Sequence, residues 1–309
     1  MGDRLRDKVA VITGAGRGIG RGIAMLMAAE GAAVVVNDLG GAVDGSGNST
    51  SAADETVAAI KAAGGQAVAS YDSVADFAAA ENIVNGAIKE FGRIDILVNN
   101  AGILRDRMIF NMNEEEFDSV VRVHLKGTFN CSRHASRHMR EQKSGRIISM
   151  TSTSGLYGNA GQANYGAAKD GIAGFTRVVS RDLGRYGITV NAIAPAAATR
   201  MIATIPESVQ QARVQRAFAG ATEQARAALP RLSRDPDDIA PFAVYLATPA
   251  AANINGQMFV VMGGTISLVN YPAPVRTIAA PTGGWTPEQI AALFPSTLGM
   301  DLVNPAPAR

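Results

Sequence analysis

The feature that most restricts this chain is an alternation. From residue 9 to about residue 262, apolar runs of strand length take turns with stretches of helical periodicity. The strand-like runs are Val9–Thr13, Val34–Asn37, Ala67–Tyr71, Ile96–Asn99, Arg146–Met150, Ile188–Ala194 and Met258–Val261. They are apolar throughout rather than at every second residue, the pattern of strands covered on both faces. Between them lie the helical stretches Gly18–Ala29, Ser51–Ala63, Asp76–Phe91, Glu114–Glu141, Tyr165–Gly184 and Asp237–Ala247. In the Tyr165 stretch, Ile172, Phe175, Val179 and Leu183 recur at helical spacing and form a stripe to be buried. The order predicts an α/β fold, one doubly wound parallel sheet of about seven strands with helices on both faces. Such sheets bind ligands beyond the carboxyl ends of their strands.

Composition narrows the partners. With 309 residues, 47% of them apolar, the chain can bury a full core. Lys and Arg number 29 against 27 Asp and Glu, interspersed, so no basic stripe for nucleic acid is expected. A single cysteine, Cys131, excludes an internal disulfide framework and a thiolate-rich metal cluster. No apolar run approaches ~18 residues, and the opening Met-Gly-Asp-Arg-Leu-Arg-Asp-Lys has no apolar signal core. A cytoplasmic location without a membrane span is the expectation. His134 and His138 stand one helical turn apart, but Arg133, Arg137 and Arg140 share their helix and no third ligand has suitable spacing. A solvated basic face is expected there, and no metal site.

Three segments break the repeat. Residues 39–50 are rich in Gly and Ser and read as a surface loop. Residues 196–233, carrying Met201, Ile202, Ile205 and Phe218, read as a lid over a ligand. Residues 265–309 form a Pro-rich tail with one short helix, capped by Thr286 and with Pro287 in its first turn. The expected organisation is therefore a domain over 1–264, lid included, and an extension over 265–309 packed on that domain or on a neighbouring subunit.

Directly after the first strand comes T-G-A-G-R-G-I-G, with Gly14, Gly18 and Gly20. There the backbone must turn sharply, approach a diphosphate without a Cβ in the way, and open a helix whose first amides face the anion. Asp38 ends V-V-V-N-D, about 20 residues further on, where a carboxylate accepts both hydroxyls of a ribose. It repels a 2′-phosphate, which favours NAD over NADP; Arg17 in the turn pulls the other way and ranks below it. These features make the expected fold Rossmann-type.

At the other end of the argument stand Tyr165 and Lys169, as Y-G-A-A-K, on one face of a helix, and Ser152 just beyond a strand. With the Gly-rich turn and N-N-A-G at Asn99–Gly102, this order resembles the short-chain dehydrogenase/reductase family over about residues 5–264. The resemblance implies that Tyr165 is the general acid/base, that Lys169 holds the ribose and lowers the tyrosine's pKa, and that Ser152 hydrogen-bonds the substrate oxygen. It implies cofactor contacts at Gly14, Arg17, Gly18, Ile19, Gly20, Asp38, Asp72, Ser73, Asn100, Ala101, Gly102, Tyr165, Lys169, Pro195, Ala198 and Thr199. Two departures stand out. Many members carry an asparagine before the G-T-F segment, in a helix position that supports a proton relay to the lysine; here it is His124, which adds a group expected to titrate near pH 6–7. The usual Pro-Gly after the sixth strand is Pro195-Ala196, and Thr199 falls one residue early for the family's contact with the carboxamide.

V-V-V-N-D-L-G-G, Y-D-S-V, N-N-A-G-I-L-R-D-R, V-H-L-K-G-T-F and Y-G-N-A-G-Q-A-N-Y-G-A-A-K point further. Together they look like the (3R)-hydroxyacyl-CoA dehydrogenase unit of peroxisomal multifunctional β-oxidation enzymes, a branch that shares V-H-L. The implied reaction is NAD-dependent oxidation of a 3-hydroxyacyl-CoA to the 3-ketoacyl-CoA by a stand-alone dehydrogenase. Hydroxysteroid oxidation is the alternative within enzymes. A catalytically silent NAD-binding sensor or scaffold is the alternative of another class, and the intact Ser152, Tyr165, Lys169 set argues against it. Arg105, Arg107 and Arg200 read as surface charges, with CoA phosphates as the other partner. A homodimer or homotetramer is expected, paired through the Glu114–Glu141 and Tyr165–Gly184 helices.

Overall fold

Valine, isoleucine and alanine dominate the runs that become strands, where branched side chains fit a pleated surface covered on both faces. Seven of them, β1 (Val9–Thr13), β2 (Ala33–Asn37), β3 (Gln66–Ser70), β4 (Ile96–Asn99), β5 (Gly145–Met150), β6 (Ile188–Pro195) and β7 (Met258–Met262), lie parallel. The structure, a computed structural model, describes residues 2–197, 233, 235–280 and 283–302. Ala198, Thr199, Arg200 and the expected lid, apart from its ends, lie outside them.

Successive side chains of a strand point to opposite faces, and here both faces are core. Ala10, Ile12, Val34, Val36, Ile96 and Val98 pack with helix α1 (Gly18–Ala29) and with a helix at Ala240–Ala247. Val9, Val11, Val35, Leu97, Ile147 and Val190 pack on the other side with α3 (Phe77–Phe91) and α5 (Gly127–Gln142). Each such valine, leucine or isoleucine contributes about 1.5–3 kcal/mol when fully buried, so the two-sided sheet dominates stability. Between β2 and β3 runs α2 (Ser51–Ala62); after β5 come α6 (Thr153–Tyr157) and α7 (Ala163–Gly184).

The strand order is β3-β2-β1-β4-β5-β6-β7, with an eighth strand, β8 (Thr265–Leu268), antiparallel at the β7 edge. That strand was expected to begin the tail. Its apolar residues alternate, with Ile266 55% and Leu268 62% exposed, so it carries no continuous apolar run; the turn at Gly263, φ +51°, folds it straight back. From β1 the chain steps first towards β3 and then, from β4, the other way. The crevice at this reversal is where a doubly wound sheet accepts a ligand.

The expected helix Glu114–Glu141 is continuous but carries an irregular turn. It consists of α4 (Glu114–Val121), a π-helical stretch Arg122–Lys126, and α5. Asn113 and Glu116 close a reciprocal capping box at its start.

The chain divides into two compact units, Met1–Val269 and Asn270–Arg309. In the second, a short helix at Pro287–Leu293 has the expected Thr286 cap, and Arg276 ties back to the Thr297 and Met300 carbonyls and to Asp301. Among the described residues no helix is long and apolar enough to cross a membrane.

Candidate active site

The site begins where β1 ends. Gly14 has φ +64°, and a Cβ there would sit 2.8 Å from the Ala101 Cα. Gly18, at φ +54°, has nothing within 4 Å of that position, so conformation and open space, not packing, call for glycine there. Gly20 stays out of the cleft; a Cβ on it would overlap the Gly14 carbonyl. At the start of α1 the preceding residue, Arg17, makes no side-chain cap, and the first turn has no acidic residue. Its leading amides therefore face the crevice without a side-chain acceptor, as an anion site requires.

Thr13 and Asn37, which the sequence does not single out, join the expected Asn100 and Asp38 in holding this end of the cleft. The Thr13 Oγ1 accepts from the Asn100 and Ala101 amides at 3.0 and 3.1 Å. The Asn100 side chain returns the contact, donating to the Thr13 and Gly14 carbonyls at 3.0 and 2.9 Å. Asp38 takes an amide on each oxygen, from Gly16 at 2.8 Å and from Gly40 at 2.7 Å. Those bonds orient the carboxylate while leaving lone pairs for a ligand. The Asn37 side chain donates to the Asp72 carbonyl at 2.9 Å, positioning Asp72 and Ser73 at the mouth of the crevice.

One cleft of about 740 Å³ joins these groups to the other end of the site. It is lined by Gly14, Arg17, Gly18, Ile19, Asp38, Asp72 and Ser73 on one side, then by Asn100, Ala101, Gly102, His124, Ser152, Tyr165, Lys169 and Pro195. Ser152 lies two residues past β5 and caps α6, its Oγ accepting from the Ser154 amide at 3.1 Å; the hydroxyl proton stays available to a ligand. Lys169 is buried, donates from Nζ to the Met150 carbonyl at 2.6 Å, and lies 5.5 Å from the centre of the Tyr165 ring. Burial pushes its pKa down from 10.5 to about 7. Asn164, fully buried, donates to the Arg105 and Glu116 carbonyls at 2.8 Å each, fixing the start of α7 beside Tyr165.

His124 sits in the π-helical stretch, its ring edge-on to Tyr165 at 5.2 Å. Its Nε2 lies 2.8 Å from the Ile103 carbonyl and 3.1 Å from the same residue's amide, so either neutral tautomer is anchored. Gly102 is glycine because a Cβ there would meet the imidazole Cε1 at 2.1 Å. The expected titration near pH 6–7 is overturned. Burial, reinforced by the Lys169 charge, holds the pKa well below the usual histidine range, so the ring is neutral at physiological pH.

Arg105 and Arg107 keep the surface-charge reading, while the one for His134 changes. Arg105 donates to the Asp44 carbonyl at 2.9 Å and pairs with Glu115, while Arg107 pairs with Glu116 at 2.7 Å. Both are committed within the chain. His134 is not on a solvated face: it is buried, with Nε2 3.0 Å from the Phe77 carbonyl, while Arg133, Arg137 and Arg140 are exposed. Among the described residues no group of three or more His, Cys, Asp or Glu could hold a metal ion.

A dinucleotide fits these residues: open amides for a diphosphate, a carboxylate acceptor at the end of the neighbouring strand, and room along the cleft. A family model described as short chain dehydrogenase matches residues 8–210. The chain belongs to the short-chain dehydrogenase/reductase family. It is 40% identical over 296 residues to the hydroxyacyl-CoA dehydrogenase ChsB1 of Mycobacterium tuberculosis, covering 93% of this chain and 87% of that one. It is 42% identical over 292 residues to the peroxisomal multifunctional enzyme A of Dictyostelium discoideum, covering 94% of this chain and 60% of that longer protein. A crystal structure of a short chain dehydrogenase from Mycobacterium avium matches with a TM-score of 0.80 at 40% identity, covering 98% of each chain. This chain is an oxidoreductase acting on CH–OH groups, of a family that uses nicotinamide cofactors.

Proposed function

We propose that this protein oxidises a 3-hydroxyacyl-CoA to the 3-ketoacyl-CoA, with NAD as its cofactor. The observation that carries the reading is one cleft with the Asp38 carboxylate at one end and Ser152, Tyr165 and Lys169 at the other. The names of the relatives in Mycobacterium and Dictyostelium support the acyl-CoA substrate.

Asp38 accepts the two hydroxyls of the adenosine ribose and repels a 2′-phosphate. Amides at the start of α1 hold the diphosphate. Tyr165 takes the alcohol proton on its phenolate oxygen. A free phenol, with a pKa of about 10, is a poor base at neutral pH, and the Lys169 ammonium favours its ionised form. Ser152 donates its hydroxyl proton to the substrate oxygen and holds the carbon in place. The bound nicotinamide supplies the acceptor for the hydride leaving that carbon. His124, neutral and edge-on, keeps the tyrosine ring from turning away without adding charge.

The test is a screen of (3R)-3-hydroxyacyl-CoAs and 17β-hydroxysteroids with NAD and with NADP, read by absorbance of the reduced nicotinamide. Acyl-CoA turnover with NAD is the expected result. Turnover of steroids alone would move the substrate to the sterol class, and dinucleotide binding without any turnover would make the protein a sensor. Exposed Phe129 on α5 and Val178 on α7 support pairing of two or four copies along those helices; light scattering reads the number.

A further inference from the structure

Residues 39–50, which the sequence shows only as a Gly- and Ser-rich loop, have a defined course. The neck is closed at Leu39, whose carbonyl accepts from the Ser49 amide at 3.0 Å, and at Gly40, φ +73°, whose amide is held by Asp38. The tip is a tight turn: the Ala42 amide donates to the Ser46 carbonyl at 2.8 Å and the Gly45 amide to the Ala42 carbonyl at 3.0 Å. That tip docks on the segment after β4. The Leu104 amide donates to the Val43 carbonyl at 2.9 Å, the Arg105 Nε donates to the Asp44 carbonyl at 2.9 Å, and Gly45 faces the Ile103 side chain.

The sheet order decides what this course means. β1 lies between β2 and β4. A loop rooted at the end of β2 and docked beyond the end of β4 therefore passes across the carboxyl end of β1, where the glycine turn opens α1. Leu39, Gly41, Val43 and Gly45 accordingly line the same cleft as Gly14 and Gly18.

We propose that residues 39–50 are a strap closing over the dinucleotide, and that Arg105 is its latch, so that undocking of the tip sets the rate of cofactor exchange. The proposal rests on the dinucleotide reading above and adds to it. A ligand running from Asp38 past the start of α1 to Tyr165 passes beneath the strap and cannot leave sideways while the tip is docked. The latch is weak enough to open. Apart from half-buried Val43 the tip is exposed, and two hydrogen bonds tie it to the 104–105 segment. The strap also joins recognition to retention, because Asp38 holds the neck through Gly40 with one oxygen and the glycine turn through Gly16 with the other.

The experiment is stopped-flow displacement of bound NADH by excess NAD, followed by nicotinamide fluorescence. It compares the full chain with Arg105→Ala and with a variant in which residues 42–47 are replaced by two glycines. Release is expected to quicken about tenfold in Arg105→Ala, the effect of losing roughly one hydrogen bond, and further in the shortened loop. Hydrogen exchange on the unaltered chain gives a second reading: the Leu104 amide gains protection when NADH binds. Release within twofold of the parent in Arg105→Ala, with an unchanged melting temperature and no added protection at Leu104, overturns the proposal. If the shortened variant does not fold, those two measurements decide. Binding of NADPH in place of NADH would overturn the cofactor choice, and the same displacement run with NADPH would then support or overturn the strap by the same twofold and tenfold criteria. Binding of neither by the unaltered chain would overturn the dinucleotide reading, and the strap with it.

Discussion

Asp38 and Lys169 stand at opposite ends of one cleft and are held in opposite ways. Asp38 is half-buried, with a backbone amide on each oxygen. Lys169 is 4% exposed, and its ammonium has one carbonyl, that of Met150, as its recorded partner. The first arrangement aims a carboxylate, which suits recognition. The second makes a charge expensive, which brings a lysine near neutrality and suits proton movement.

The sharpest way to break this division is Tyr165→Phe. Turnover should fall about a thousandfold or more, since only the proton acceptor is lost, while calorimetry should find dinucleotide affinity within about threefold of the parent. Near-normal turnover would remove Tyr165 from its role. Next comes Lys169→Met, expected to lower kcat about a hundredfold. The same variant tests the buried charge through stability. Between about 7 in the folded protein and 10.5 in the unfolded chain, the unfolded state binds the extra proton. The cofactor-free protein should therefore become more stable as pH rises through that window, by up to ~1.4 kcal/mol per pH unit. In Lys169→Met, denaturant titrations should show that slope flattened; an unchanged slope would mean that burial does not govern the lysine.

At the recognition end, Asp38→Ala combined with Leu39→Arg should shift the NAD-to-NADP ratio of kcat/KM about tenfold towards NADP, the worth of ~1.4 kcal/mol. A ratio that stays put would separate Asp38 from cofactor choice. The smallest effect is expected from Thr13→Val, which leaves the Asn100 and Ala101 amides without their shared acceptor. It should cost about 1–3 kcal/mol in thermal or denaturant unfolding, with the chemistry itself little altered.

The parallel sheet was legible because a strand buried on both faces leaves an unbroken apolar run, as Val9–Thr13 and Ile96–Asn99 do. β8 was not, because an edge strand with one wet face has no such run. Ser152, Tyr165 and Lys169 were legible as a set through spacing and family resemblance, and the structure gathers them in one cleft. What escaped was everything that depends on a partner distant in sequence. Thr13 is an ordinary strand-end residue until Asn100 and Ala101 arrive 87 and 88 positions later. Arg105 is a surface charge, as it reads, but its tie to the Asp44 carbonyl 61 positions away has no local signature. His124 reads as a titrating group until burial removes that possibility.

The π-helical stretch has a consequence of its own. Residues Arg122–Lys126 fit one extra residue into a helical turn, and α5 starts from the phase this leaves. Each residue of a helix advances it by about 100°. Forcing that stretch into regular α geometry with all its residues kept would rotate all of α5, swinging Cys131, Ala135 and Met139 out from beneath the sheet and bringing arginines in. Deleting one residue would instead collapse the bulge and leave α5 in place. The irregular turn thus works as a phase adjuster, letting one continuous rod show a ligand-facing side at His124 and a core-facing side from Cys131 onward.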